Sequence, residues 1–353
     1  MSKNKHNCKV AVVLPVFNTE KYLEQCLLSL LNQTISNFEV FAVDDGSTDG
    51  SCEVLEKIAK TDSRIHVYHK KNGGVSSARN FALEEIEGKG CFDIVCFIDS
   101  DDMVSTQYLH LIVDGLQGTS NDLVMLGFKK FDRSNAPILG QFPRIRLKNS
   151  EIVLKGKDAF RFAFGVDSYG LSTSNLISFG VCNFGFSLEA IRGERFNEGL
   201  KTAEDLEYLV RIFQKGVSLC VKNEVACFYR IRRSSLTHDS TVRIDDVKVF
   251  LKLLQSECAQ SLVCREVIEY MAFKHFWQVT RAACDCNLLD DLYRELSKML
   301  RYMGESFRTP ILTVRGAKKR ILIFKLGPSV LKLYFNFFGI RRRSKTKKII
   351  YFE

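Results

Sequence analysis

Four short stretches hold the residues that could do chemistry: Pro15-Val16-Phe17-Asn18, Val43-Asp44-Asp45-Gly46-Ser47-Thr48-Asp49, Asn72-Gly73-Gly74-Val75-Ser76-Ser77-Ala78-Arg79-Asn80 and Phe97-Ile98-Asp99-Ser100-Asp101-Asp102. The first, second and fourth each end an apolar, β-branched run, and the third opens a helical pattern. Acidic and Gly-rich groups therefore gather at the carboxyl edge of one sheet, where open α/β folds bind nucleotides. Glycines let the backbone approach a ligand closely, and a helix N-terminus favours an anion. Carboxylates crowded beside such a cradle repel one another unless a cation compensates them. The chemistry this points to is activation of a nucleotide-linked leaving group by a hard cation, Mg²⁺ or Mn²⁺. Asp99 and Asp101, one residue apart at a strand end, can address a ribose and a metal from one loop.

Each stretch also has a plainer reading. Asp44 to Asp49 fits an Asx turn and helix cap, and Gly73-Gly74 fits an ordinary turn. Glu20 reads as a first-turn helix charge, Asp102 as a helix-start charge, and Glu204-Asp205-Leu206-Glu207 as a solvated acidic face.

The elements that must position these groups alternate over the first 130 residues. Strand patterns lie at 10–16, 38–43, 65–69, 93–98 and 123–131, and helical patterns at 19–33, 47–60, 75–86 and 106–118. Thr19 and either Ser47 or Asp49 are the expected helix caps. Such alternation with short connections predicts a mostly parallel sheet with flanking helices. Residues 132–150 read as polar loop, 153–164 as helix, and 165–180 as a Ser/Gly/Asn-rich loop. A strand is expected at 183–188, a helix at 203–214, and two strands at 217–222 and 225–231. Beyond about residue 245 the pattern is helical, at 247–254, 266–282 and 288–303.

The twelve Cys of this 353-residue chain form no CxxC pair, so they read as reduced, core-filling thiols. The net charge of +10 is unevenly placed: residues 308–352 hold thirteen Lys/Arg and no Asp/Glu, leaving the rest near neutral. The polar segment 1–9 lacks the pattern of a signal peptide, which predicts a cytoplasmic address.

Taken in order, these motifs resemble the inverting family 2 glycosyltransferases of GT-A fold, of the bacterial surface-polysaccharide type. The resemblance covers residues 8 to 240, best before 130. It implies a GT-A domain over 1–243, with a nucleotide half at 8–131 and an acceptor half at 132–243. A helical extension over 244–306 and a basic amphipathic tail over 307–353 complete the expected layout.

Carried onto these positions, the resemblance gives Asp45 the uracil imide, with Phe17 on the ring face and Pro15, Val16, Asn18, Glu20 and Asp44 around it. Asn72, Gly73 and Arg79 would serve the diphosphate, Asp99 and Ser100 the ribose side, and Arg230 or Arg232 a phosphate clamp. Asp101 would contact the metal directly, with Asp99 and His238 as further ligands. Asp205 falls on the general-base position, taking the proton of the acceptor hydroxyl as its oxygen attacks the sugar opposite the diphosphate. Its place after Phe196-Asn197 and before Tyr229-Arg230 favours that role over a solvated face.

The tail 321–340 is apolar but broken by Lys325, Pro328 and Lys332, so a spanning helix is disfavoured. With Arg341-Arg342-Arg343 following, it reads as an interfacial helix on an anionic inner leaflet; a basic hairpin packed on the body is the alternative. The expected function is transfer of a hexose or N-acetylhexosamine from a UDP-sugar to a hydroxyl of a glycan, lipid-linked, in surface polysaccharide assembly. Its setting is peripheral, on the inner face of the cell membrane. A nucleotidyltransferase on a similar fold and a non-catalytic nucleotide-sugar or membrane-docking module are the rivals. Nucleic acid is not an expected partner, since no aromatic-basic interleaving is present.

Overall fold

The computed structural model describes residues 8–117, 121–131, 139–142, 150–164, 180–232 and scattered positions between 249 and 271. Two compact units divide the chain, residues 1–234 and 235–353.

The first unit is built on a 10-stranded sheet. Its centre is β1 (Val10–Val16), buried along its whole length. β1 pairs in parallel with β2 (Phe38–Asp44) on one side and β4 (Ile94–Phe97) on the other, and β2 pairs with β3 (Ile65–His69). Strands covered on both faces need near-continuous apolar sequence, which is why these runs alternate so little. The register sets Val16 beside Asp44 and Asp44 beside His69, so the three strand ends open at one edge.

Helices α1 (Glu20–Leu31) and α2 (Ser51–Ala59) cover one face, packing Leu23, Leu27, Leu55 and Ile58 on Val10, Val12 and Leu14. The opposite face of β1 and β2 receives α3 (Val75–Lys89). A short β5 (Met103–Val104) and α4 (Tyr108–Gln117) follow, then β6 (Leu123–Phe131), β7 (Leu139–Phe142), β8 (Glu151–Lys155) and α5 (Gly156–Ala163). A 3₁₀ turn at Val181–Asn183 leads into β9 (Phe184–Ser187), α6 (Leu188–Ile191), α7 (Glu204–Gln214) and the long β10 (Ser218–Arg230). The strand order is β3-β2-β1-β4-β9-β6-β10-β5, with β9 antiparallel between β4 and β6, while β10 runs parallel to β6.

Several expected elements are corrected. The first three residues of the helix expected at 153–164 are strand instead: β8 pairs antiparallel with β10, and Gly156 at φ 51° turns the chain into α5. The apolar triplet 152–154 is too short to distinguish the two periods. The expected loop at 132–150 contains β7, on β6. The two strands expected at 217–222 and 225–231 are one strand, irregular in register around Val225. Thr19 does not cap α1 with its side chain; the hydroxyl donates to Ser100 Oγ at 3.0 Å instead.

In the second unit the described residues include Val249, Phe250, Leu253, Val267, Ile268 and Met271, all buried, and an Arg265–Glu269 pair at 3.0 Å. Residues 165–179 of the loop expected at 165–180, the helix expected at 288–303 and the expected basic tail lie outside the described residues.

Candidate active site

At the first strand end Phe17 stands out, 45% exposed, while Pro15 and Val16 are buried backbone scaffold. Asn18 adopts φ 51° and accepts the Thr48 N–H through Oδ1 at 2.8 Å. Glu20 accepts the Gly50 N–H at 3.2 Å, and Asp49 accepts the Glu20 N–H at 3.2 Å, so α1 and α2 are stitched start to start. Asp49 also receives the Ser51 N–H at 3.0 Å, but the N-cap of α2 is Gly50, so neither Ser47 nor Asp49 holds the expected cap position. Asn18 and Glu20 thus shape the Asp44–Asp49 loop by direct hydrogen bonds. A Cβ on Gly50 would lie 2.7 Å from the Glu20 carboxyl, so a larger residue there would push that side chain aside.

Asp45 is buried and saturated with donors. Lys70 Nζ lies 2.6 Å from Oδ1, the Gly73 N–H donates at 3.0 Å and the Gly74 N–H donates to Oδ2 at 2.7 Å. Gly74 sits at φ 89°, a conformation an L side chain resists, and a Cβ on Gly73 would meet Lys70 Nζ at 2.9 Å. The loop makes its expected positive-φ turn at Gly74, but its amides face a resident carboxylate rather than an open anion cradle. Asn72 is exposed on the same loop. Asp44 accepts the Ser47 N–H at 3.1 Å and lies 3.4 Å from His69 Nδ1.

The acidic turn after β4 is braced from beneath. Ser100 is buried and bonded to Thr19, so its hydroxyl serves the turn and not the cleft. Asp102 is fully buried, accepting the Arg230 N–H at 2.8 Å; it is no helix-start charge. Arg230 turns inward as well, donating to the Asp101 carbonyl at 2.7 Å and to Gln25 at 2.9 Å, with its guanidinium 4.4 Å from the Phe131 ring centre. The expected phosphate clamp at Arg230 is thus a structural brace. Arg232, more exposed, pairs with the Asp101 carboxylate at 2.7 Å.

Arg79 connects this turn to the other half of the sheet. It is buried on α3, and donates to Asp99 at 2.9 Å, to Asp205 at 2.6 Å and to Glu204 at 3.2 Å. Its guanidinium lies 5.0 Å from the Phe196 ring centre. Tyr208, one turn beyond Glu204 and Asp205 on α7, stacks on Phe196 at 4.0 Å and meets Phe97 edge-on. Residues three and four apart share a helix face, so the ring that anchors α7 also sets the direction of its two acids. Asn80, next to Arg79, holds Phe196 through both backbone groups, at 2.7 and 2.9 Å. Ala203, at the head of α7, has φ 56°. Asn18 and Ala203 are the two non-glycine residues with positive φ among the described residues, and both border this site. Such conformations persist where surrounding structure holds them.

Burial pushes the Asp205 carboxyl up, to about 8, against the pull of Arg79; Glu204 and Asp99 add to the rise. Burial likewise raises Asp101 and, further, Asp102, and the neighbouring carboxylates reinforce both. Burial alone would lower Arg79, but Asp205, Asp99 and Glu204 outweigh it and hold the cation charged. These groups fit a divalent cation by donor chemistry: Asp99 and Asp101 offer hard oxygens from one turn, and their crowding is the cost a cation would relieve. Arg232 supplies that compensation at Asp101 here. Asp102 and Cys182 also lie close to Asp99, within 4.8 Å, but a buried thiol is a poor donor for Mg²⁺ or Mn²⁺. His238 lies outside the described residues.

Sequence reasoning missed Lys70, Asp102 as a buried group, and Glu204 as a partner of Arg79. Lys70 directly follows β3, whose neighbour in the sheet ends at Asp44-Asp45, and that adjacency was the available signal.

Against known proteins, residues 11–166 match the model of glycosyl transferase family 2. EpsJ of Bacillus subtilis (strain 168), described as an uncharacterized glycosyltransferase, is 39% identical over 237 residues, 65% of this chain and 62% of EpsJ. This chain's match thus spans less than two thirds of that relative. The TarS fragment of S. aureus, solved with UDP, superposes with a TM-score of 0.65 at 17% identity, covering 98% of this chain and 94% of that one. Mannosyltransferase PcManGT of Pyrobaculum calidifontis, solved with GDP-Man and Mn²⁺, gives 0.53 at 17% identity, covering 94% and 87%. The fold is of the GT-A class, a largely parallel sheet with flanking helices. Residues 11–166 thus match glycosyl transferase family 2, and the similar relatives carry glycosyltransferase names.

Proposed function

We propose that the protein transfers a hexose or N-acetylhexosamine from a UDP-sugar to a hydroxyl of a glycan acceptor, with inversion at the sugar carbon. The observation that carries this is the single guanidinium of Arg79, which holds Asp99 of the acidic turn and Asp205 of α7 at one place. A strand-end acid on the donor side and a half-buried base on the acceptor side are the two groups this reading assigns to the transfer. Asp205 accepts the proton of the attacking hydroxyl, Arg79 fixes its carboxylate, and Phe17 offers an exposed ring face to the base of the nucleotide. Asp99 and Asp101 would hold Mg²⁺ or Mn²⁺, which when bound neutralises charge on the departing diphosphate. UDP as the nucleotide is favoured by the likeness to TarS, solved also with UDP-GlcNAc; PcManGT with Mn²⁺ supports the metal.

We further propose a lipid-linked acceptor in surface polysaccharide assembly, reached at the inner face of the cell membrane through the basic segment 307–353. No helix among the described residues is long and apolar enough to cross a membrane.

The test is a panel of UDP- and GDP-sugars assayed with and without Mn²⁺ on glycan acceptors, comparing the full chain with Asp205→Asn and Asp101→Ala. Turnover by both variants at the parent rate refutes the mechanism. Sedimentation with anionic vesicles, with and without residues 307–353, tests the membrane proposal separately.

A further inference from the structure

A second group of metal-ligating side chains lies where the ends of β2 and β3 meet the head of α2. Asp44 ends β2, Cys52 lies in the first turn of α2, and His69 ends β3. One ligand atom from each falls within 4.8 Å of the other two; Cys52 is half-buried and His69 exposed. His69 Nδ1 is 3.4 Å from Asp44 Oδ2 and 3.9 Å from Cys52 Sγ. A tetrahedral Zn²⁺ with ordinary bond lengths has N–O edges of about 3.4 Å and N–S edges of about 3.6 Å. The two spacings therefore approach those of an assembled tetrahedral face.

An independent observation comes from the other side of the ring. His69 Nε2 lies 2.8 Å from Glu56 Oε1, and Glu56 follows Cys52 by one helical turn. A metal-bound imidazole typically gives its second N–H to a carboxylate, which fixes the tautomer. With the proton on Nε2, the Nδ1 lone pair faces a carboxylate oxygen and a sulfur, an arrangement that a cation placed between them relieves.

We propose that Asp44, Cys52 and His69 form a binding site for a borderline-soft divalent metal of the Zn²⁺ type, with Glu56 orienting the histidine and water in the fourth position. The mixed O, N, S donor set distinguishes it from the all-oxygen donors of the acidic turn. On binding, Cys52 gives its thiol proton to solvent and ligates as thiolate. The metal would tie the ends of β2, α2 and β3 together, fixing the loop that Asn18 and Glu20 already grip.

The test titrates the full chain with Co²⁺ in excess Mg²⁺. The expected result is a thiolate-to-cobalt charge-transfer band with tetrahedral visible bands, abolished by one equivalent of Zn²⁺. Cys52→Ser should remove the charge-transfer band, and Glu56→Gln should weaken affinity roughly 10–100-fold. In the unmodified chain, Zn²⁺ should also slow alkylation of Cys52 at least about tenfold while leaving exposed Cys91 unchanged. No cobalt–thiolate band, or one that survives in folded Cys52→Ser, overturns the site, as does equal alkylation of Cys52 with and without Zn²⁺. An imidazolium simply bridging Asp44 and Glu56 gives those negative results.

Discussion

Asp45, buried, and Asp205, half-buried, are both carboxylates near the head of a helix, yet their surroundings differ. Asp45 meets Lys70 and two loop amides, all supplied within thirty residues by its own half of the sheet. Asp205 meets Arg79 across the sheet and the Val181 N–H at 3.2 Å, with Glu204 and Asp99 crowding the same cation. Donors from one's own loop make a carboxylate part of the scaffold. Sharing one distant cation with two other acids leaves a carboxylate whose proton can be gained or lost near neutral pH.

The largest effect expected on this contrast is catalytic. Asp205→Asn should cut transfer by roughly 10²–10⁴-fold, because the proton acceptor is lost, while the amide keeps one oxygen for Arg79 and the variant still melts cooperatively. A stable variant with full activity would erase the distinction between the two acids. Arg79→Gln should act on folding instead, costing about 3–5 kcal/mol in chemical denaturation, since three acids lose their buried partner. Lys70→Met should cost less, about 1.5–3 kcal/mol, because the Gly73 and Gly74 amides still serve Asp45. If it cost more than Arg79→Gln, the donor-rich site would be the fragile one.

The pH profile sharpens the contrast further. A base must be unprotonated, and Asp205 is pushed up to about 8, so kcat/KM should rise with pH and level off above that value. A limb at the ordinary carboxylate value would mean that Arg79 wins over burial. The smallest effect should come from Ala203→Gly: relief of its left-handed backbone should stabilise the fold by about 1 kcal/mol, read as a raised melting temperature.

The strand ends were legible because parallel, two-face-buried strands leave unbroken apolar runs, as in Val10–Val16, that stop where the chain reaches solvent. The acidic turn and the Glu204-Asp205 pair were legible as types at positions. Their partners were not. Arg230 ends a strand rich in apolar residues and reads as exposed, yet it turns inward because Asp102 and the Asp101 carbonyl await it, 128 and 129 residues away. Ser100 reads as a ligand group because its neighbours are acids, but the Thr19 hydroxyl claims it. Strand β8 was hidden by a three-residue run, and its pairing with β10 is a long-range choice that local pattern does not encode.

The glycine loop has one consequence of its own. Its amides are already answered by an internal counterion, so a stray inorganic phosphate meets little net attraction there. An anion could reach those amides only by displacing the Asp45 carboxylate, so the loop by itself discriminates against bare phosphate.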